Sequence, residues 1–151
     1  NQRDSPFNAN TGDFQKFYQG VKYMSTNAHG QHIFLDYNGF FPAEHQDGNW
    51  VLKILQEVVA RSTATEVHAH VELFDGITSP PGFAAVVLLD ESHLTAHCYS
   101  ELGWLAIDAF TCGGTDPSGM VADLKSVLDS EMPTLVLMQE QKVNRFLHSE
   151  D

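Results

Sequence analysis

The sequence predicts an α+β fold, a two-layer sandwich in which two helices cover one face of a mainly antiparallel six-stranded sheet. Three observations predict it. Alternating or continuous apolar runs of strand length recur along the body of the chain. Two longer stretches carry apolar residues at helical spacing, giving the order strand, helix, four strands, helix, strand. Two helices are also too few to cover both faces of such a sheet, so one face is left bare.

Residues 1–28 are polar and spotted with aromatics. Phe14, Phe17, Tyr18 and Val21 recur at i, i+3, i+4 and i+7, the spacing of a short amphipathic helix. This extension is expected to dock on a domain spanning 29–151. Gln31–Tyr37 alternates, with Ile33, Leu35 and Tyr37 on one face, and reads as the first strand. The Asn-, Gly-, Pro- and Asp-containing stretch 38–49 reads as loop. Val51, Ile54, Leu55, Val58 and Val59 then form a helical stripe, with Asp47 or Asn49 available as N-cap.

Glu66–Phe74 alternates again: Val67, Ala69, Val71 and Leu73 face one way, His68, His70, Glu72 and Phe74 the other. Gly76, Pro80 and Pro81 mark 75–82 as loop. Phe83–Leu89 is a continuous apolar run typical of a buried strand. Leu94–Tyr99 and Trp104–Phe110 follow as strands on either side of a turn at Ser100–Gly103. Asp116-Pro117 opens the second helix, because proline is tolerated at the first helical position. Val121, Leu124, Val127 and Leu128 lie along it. Pro133 introduces a last strand, Thr134–Met138, followed by a polar tail. The bare sheet face must then meet a partner or the N-terminal segment.

At 151 residues and 42% hydrophobic, the chain suits one domain with a sizeable core. A formal charge of −12 with eight Lys plus Arg argues against nucleic acid, which demands basic patches. No window approaches the ~18–20 apolar residues of a membrane span, and residues 1–10 carry no apolar signal run. Two cysteines, Cys98 and Cys112, are too few for a disulfide scaffold, so a reducing, cytoplasmic setting is expected. CxxC, HExxH and a glycine-rich phosphate loop are all missing from the sequence.

Chemistry-bearing residues concentrate in Asp90-Glu91-Ser92-His93-Leu94-Thr95-Ala96-His97 and in Phe110-Thr111-Cys112-Gly113-Gly114. Serine, imidazole and thiol are the groups of nucleophilic and proton-transfer chemistry. A hydrolase would need a serine base oriented by a third group, for which Glu91, Asp90 or Asp108 could serve. Ser92, however, does not stand in Gly-x-Ser-x-Gly. The plainer alternative makes Ser92 a turn residue, His97 an edge histidine and Cys112 a small hydrophobe ending a strand. A metal site would draw on His68, His70, His93 and His97, but no Cys or acid falls at ligand spacing, so no metal is expected.

The stretch Gly82–Gly113 resembles the bacterial and archaeal S-adenosylmethionine decarboxylases, which use a pyruvoyl group. The residues carrying the resemblance are Glu91-Ser92-His93-Leu94, then His97-Cys98-Tyr99-Ser100-Glu101, then Ile107-Asp108-Ala109-Phe110-Thr111-Cys112-Gly113. Gly30-Gln31-His32 is similar to the family's Gly-x-His opening, and the likeness covers roughly 30–138. It implies a proenzyme that cuts itself between Glu91 and Ser92, giving a β chain to 91 and an α chain from 92. Residue 92 becomes a pyruvoyl group, a ketone that forms a Schiff base with the substrate amine and delocalises the carbanion left by decarboxylation.

The resemblance further implies that His97 assists processing and that Cys112 is the proton donor. A thiol of ordinary pKa, about 8.5, can donate near neutrality. Glu101 matches the glutamate that hydrogen-bonds the substrate ribose, and Phe74 is a candidate to stack on adenine. S-adenosylmethionine is the implied substrate, for spermidine synthesis, with ornithine or arginine as alternatives on the same fold. A homodimer is implied, and a non-processing homologue that binds ligand is the non-enzymatic alternative. Three departures stand out. Ala84-Ala85 replaces Ser-Gly, Tyr99-Ser100 replaces Trp-Pro, and the N-terminal 28 residues have no counterpart in the minimal bacterial enzymes.

Overall fold

A computed structural model describes residues 26–44 and 46–149. The helix read at 14–21, and with it the docking of the extension, lies outside the described residues. A compact unit spans Ala28–Leu147. The elements run β1 (Thr26–Asn38), α1 (Gly48–Ala60), β2 (Glu66–Phe74), β3 (Gly82–Leu89), β4 (His93–Tyr99), a 3-10 turn (Ser100–Leu102), β5 (Trp104–Cys112), α2 (Pro117–Glu131) and β6 (Val136–Ser149). The six strands order as β2-β3-β4-β5-β1-β6. The four pairings from β2 to β1 are antiparallel, and both helices pack on one face, as expected.

Each helix starts where a short acidic side chain can satisfy free backbone N–H groups. Asp47 accepts from the amides of Asn49 and Trp50, at 2.9 and 3.1 Å. Asp116 accepts from Ser118, at 2.9 Å, ahead of Pro117 at the first helical position. The apolar stripes Val51, Ile54, Leu55, Val58, Val59 and Met120, Val121, Leu124, Leu128 then bury against the sheet. From the strands, Ile33, Leu35, Tyr37, Phe83, Ala85, Val87, Leu94, Ala96, Leu105 and Ile107 complete that core. Strand alternation therefore sends the other set of side chains to the uncovered face: His32, Phe34 and Asp36 on β1; Ala84, Val86 and Leu88 on β3; His93, Thr95, His97 and Tyr99 on β4; Trp104, Ala106, Asp108 and Phe110 on β5.

Three sequence expectations need correction. The apolar run of β3 is buried on one face only: Phe83, Ala85, Val87 and Leu89 are in the core, while Leu88 is 43% exposed on the open face. On β2, Ala69 and Val71 pack on the core but Val67 and Leu73 are 62% and 50% exposed. β2 is an edge strand whose register shifts between Glu66 and His68, beside Val67, while Leu73 keeps one side against Gly48 at the start of α1. The last strand does not stop at Met138, because β6 starts at Val136 and carries the polar tail on to Ser149 beside β1. Every residue of β6 is exposed, so the backbone ladder holds it and burial leaves no hydropathy signal.

Candidate active site

Glu91 and Ser92 form the tight connection between β3 and β4, closed by a hydrogen bond from the Leu89 amide to the Ser92 carbonyl at 2.9 Å. Cys112 ends the neighbouring strand β5, and its backbone N–H donates to Ser92 Oγ at 3.0 Å. This bond ties the serine to the cysteine from 20 residues away. The two meet because β4 and β5 are adjacent antiparallel strands, so the start of one lies beside the end of the other. A cleft of about 260 Å³ opens there, bordered by Glu91, Ser92, Cys112 and Gly113 and by Thr63–Thr65 from the α1–β2 loop.

The chain turns away after Cys112 at Gly113, whose φ of +62° favours glycine. Gly113 N–H donates to the His29 carbonyl at 3.0 Å, and Thr111 Oγ1 donates to the Thr115 carbonyl at 3.0 Å, bracing the turn. Gly30 is required by close approach. A Cβ there would lie 2.9 Å from the Thr111 carbonyl oxygen and 3.4 Å from Cys112 Sγ. The Gly-x-His opening of β1 thus leaves the thiol its space, a role that only the β1–β5 register reveals.

His97, Glu101 and Phe74 lie at the other end of the sheet. His97 follows Ser92 by five residues in an extended strand, a separation of roughly 16 Å at the usual strand rise. It stands on the open face between Ala84 and Ala106, its register partners on β3 and β5. Beyond the two alanines, the row ends in Glu72 and Asp36. Tyr99 and Trp104, in edge-to-face contact at 6.2 Å, share a hollow of about 300 Å³ with His97 and Asp36. Glu101 sits exposed in the following 3-10 turn, and Phe74 pairs with Gly82 beside Tyr99. One chain therefore brings Ser92, Glu91 and Cys112 together, and does not bring His97, Glu101 or Phe74 to them.

Reasoning from motifs did not find a polar network on the open face. His32 Nε2 lies 2.8 Å from Asp108 Oδ1, and Thr95 Oγ1 donates to Asp108 Oδ2 at 3.3 Å. His93, directly after Ser92, packs its ring on Phe110 at 5.4 Å and near His32 at 6.3 Å. Burial pushes the His93 imidazole below its ordinary value; His32 and Arg145 add to this and Asp108 opposes it. Such a shift favours the neutral imidazole of His93. Cys98 is 2% exposed, and burial raises its thiol pKa, which suits core filling. Among the described residues no cluster of His, Cys, Asp or Glu could hold a metal ion.

Residues 31–140 match the family model described as S-adenosylmethionine decarboxylase. The chain belongs to the S-adenosylmethionine decarboxylase family. It is 35% identical over 106 residues to the S-adenosylmethionine decarboxylase proenzyme of Symbiobacterium thermophilum, covering 70% of this chain and 77% of that one. To the proenzyme of the same name from Methanococcus maripaludis (strain S2) it is 32% identical over 103 residues, covering 68% and 81%. Both the bacterial and the archaeal relatives are thus matched over most of their length. The crystal structure of the adenosylmethionine decarboxylase from Aquifex aeolicus VF5 superposes with a TM-score of 0.62 over 83% of this chain and 97% of that one, at 23% identity, which shows a shared fold. No helix among the described residues is long and apolar enough to cross a membrane.

Proposed function

We propose that this chain is a self-cleaving proenzyme which, as a homodimer in the cytoplasm, decarboxylates S-adenosylmethionine to supply aminopropyl groups for spermidine synthesis. The observation that carries the reading is the Ser92–Cys112 hydrogen bond, which sets the scissile serine and the family's proton donor at one cleft. Names borne by relatives from two domains of life support the substrate. Glu101, a carboxylate able to accept two ribose hydroxyls, supports a nucleoside over ornithine or arginine.

In the proposed cleavage Ser92 Oγ attacks the Glu91 carbonyl carbon. The C–N bond breaks as the amine takes a proton, and the amide becomes an ester. Loss of the Ser92 α-proton then expels Glu91 as a carboxylate, with the former Oγ, and leaves an enamine at residue 92. Water replaces its nitrogen, which departs as ammonia, and a terminal ketone remains. That pyruvoyl group supplies the electron sink that decarboxylation of an α-amino acid requires. The residues present fit it: the Ser92 side chain borders the cleft, and the Cys112 amide is aimed at its oxygen position. The Cys112 thiol would hold the proton returned to the substrate α-carbon after carbon dioxide leaves.

His97 can serve Ser92 only from a second copy, given the roughly 16 Å between them in one strand. The bare face supports that arrangement. Two copies stacked face to face about a two-fold axis, strands antiparallel, put the His97 row of one over the Ser92 end of the other. The alanines flanking His97 leave that row low enough to receive the bulkier His93–Phe110–His32 row.

The test is release of carbon dioxide from carboxyl-labelled S-adenosylmethionine, ornithine and arginine by purified protein beside a Ser92→Ala variant. Release from S-adenosylmethionine by the wild type alone is expected. Release from ornithine or arginine instead reassigns the substrate, and undiminished release by Ser92→Ala overturns the mechanism.

A further inference from the structure

Four adjacent strands, β4-β5-β1-β6, are joined across the open face by one chain of hydrogen bonds. Arg145 on β6 places a guanidinium nitrogen 3.3 Å from His32 Nδ1. A guanidinium only donates, so His32 Nδ1 must present its lone pair and the ring proton must sit on Nε2. Nε2–H then donates to Asp108 Oδ1 at 2.8 Å, while Thr95 donates to Asp108 Oδ2. Every proton in the chain points towards Asp108, whose carboxylate only accepts; the arginine completes the chain by filling the His32 Nδ1 lone pair. Among the described residues no carboxylate lies within ion-pairing distance of Arg145.

The same arginine caps Phe110. Its guanidinium carbon lies 5.3 Å from the ring centroid. The rings of His93, His32 and Phe146 surround Phe110 at 5.4, 5.9 and 5.9 Å. Successive residues of a regular strand point to opposite faces, yet Arg145 and Phe146 both reach Phe110. The backbone achieves this at Phe146, whose φ of +52° makes it the one described residue other than glycine in the left-handed region. A bulky residue keeps that conformation only where its surroundings hold it.

Phe110 precedes Cys112 by two residues on the same strand, and His93 follows Ser92 directly. The ring contact between Phe110 and His93 therefore lies behind both partners of the Ser92 Oγ–Cys112 N–H bond. We infer that Arg145 is a positioning residue for the cleavage site, acting through His32 and Phe110 to hold Ser92 against the Cys112 amide. The role in cleavage rests on the self-processing reading above; the positioning itself does not.

The test uses the full chain carrying His97→Asn, which keeps the Ser92 hydroxyl and holds the chain uncut, with Arg145→Met or Arg145→Lys added. Nitrogen-15 spectra of the imidazoles report the hydrogen bond accepted at His32 Nδ1, and amide exchange reports the Cys112 N–H. With Arg145 intact, the His32 Nδ1 resonance is that of a hydrogen-bonded lone pair. Arg145→Met shifts the His32 Nδ1 resonance to that of a lone pair without this donor and gives about tenfold faster Cys112 exchange, with the Leu55 and Val58 amides unchanged. Arg145→Lys, which still donates, restores both signals.

An unchanged His32 Nδ1 resonance, unchanged Cys112 exchange, or equal acceleration at Leu55 and Val58 would overturn the inference. With His97 restored, Arg145→Met cleaves about tenfold more slowly than wild type, and cleavage at the wild-type rate also overturns it. A wild type that never cleaves defeats the self-processing reading instead, and the Nδ1 and exchange signals still decide the role of Arg145.

Discussion

Co-expressing two individually inactive variants, Ser92→Ala and His97→Ala, is expected to restore cleavage in one of them. Ser92 directly precedes β4 and His97 lies towards its far end, roughly 16 Å apart, so on the proposed arrangement neither chain completes a site alone. In a face-to-face pair with two-fold symmetry, each Ser92 is served by the other copy's His97. A mixed pair then contains one complete site: Ser92 of the His97→Ala chain beside His97 of the Ser92→Ala chain. Equal expression and random pairing place about half of the His97→Ala chains in mixed pairs. About a quarter of all chains should therefore be cut, against none for either variant alone. Tagging the two variants differently and resolving the products by intact mass gives that fraction directly. No cleavage on co-expression, or wild-type cleavage by His97→Ala alone, would refute the division of the site between copies.

Cys112→Ala should leave the backbone amide that holds Ser92 in place, so cleavage proceeds while decarboxylation falls by about 10²–10⁴; a parallel loss of cleavage in the mass spectrum counts against a role confined to proton return. Tyr37 offers a stability test. Its hydroxyl is buried with no hydrogen-bond partner among the described residues, and burial, with Asp129 and Glu140 adding, pushes its pKa up to about 12. Tyr37→Phe should thus be neutral or stabilising by up to about 1 kcal/mol in urea unfolding, since an unpaired buried hydroxyl gains nothing for its desolvation; a clear loss of stability would reveal a partner. Asp47→Ala should cost about 1 kcal/mol through the lost helix cap. The Asn49 side chain, then the Trp50 amide, hold the Asp47 carboxyl below its usual value. Its contribution is present above the ordinary carboxylate pKa and is lost as pH falls through the lower folded value, so wild type and variant should converge in stability towards acid pH.

The helices were legible because their signals are local. Asp47 and Asp116 cap them as expected, and the stripes from Val51 and Val121 onward face the sheet. β2, β4 and β5 were legible for a similar reason, with shifts of at most two residues at their ends. Only the start of β6 was, in the strand expected at Thr134–Met138; its run on to Ser149 was not, because that part is held by a backbone ladder along β1 that no pattern of burial reports. At the site, Ser92 and Cys112 were marked by their own short motifs. Motifs could not show that His97 belongs at the opposite end, that Gly30 makes room for the thiol, or that Arg145 reaches His32 across 113 residues. Those facts live in strand register and in the left-handed turn at Phe146, neither of which hydropathy encodes.

Intact-mass analysis of the purified wild-type chain beside Ser92→Ala tests the central claim most directly. Two wild-type fragments are expected, residues 1–91 and 92–151, the second blocked to N-terminal sequencing because its amine has become a ketone. Ser92→Ala should remain one species near 16.8 kDa. A wild-type chain that stays at that mass while releasing carbon dioxide from S-adenosylmethionine would contradict it.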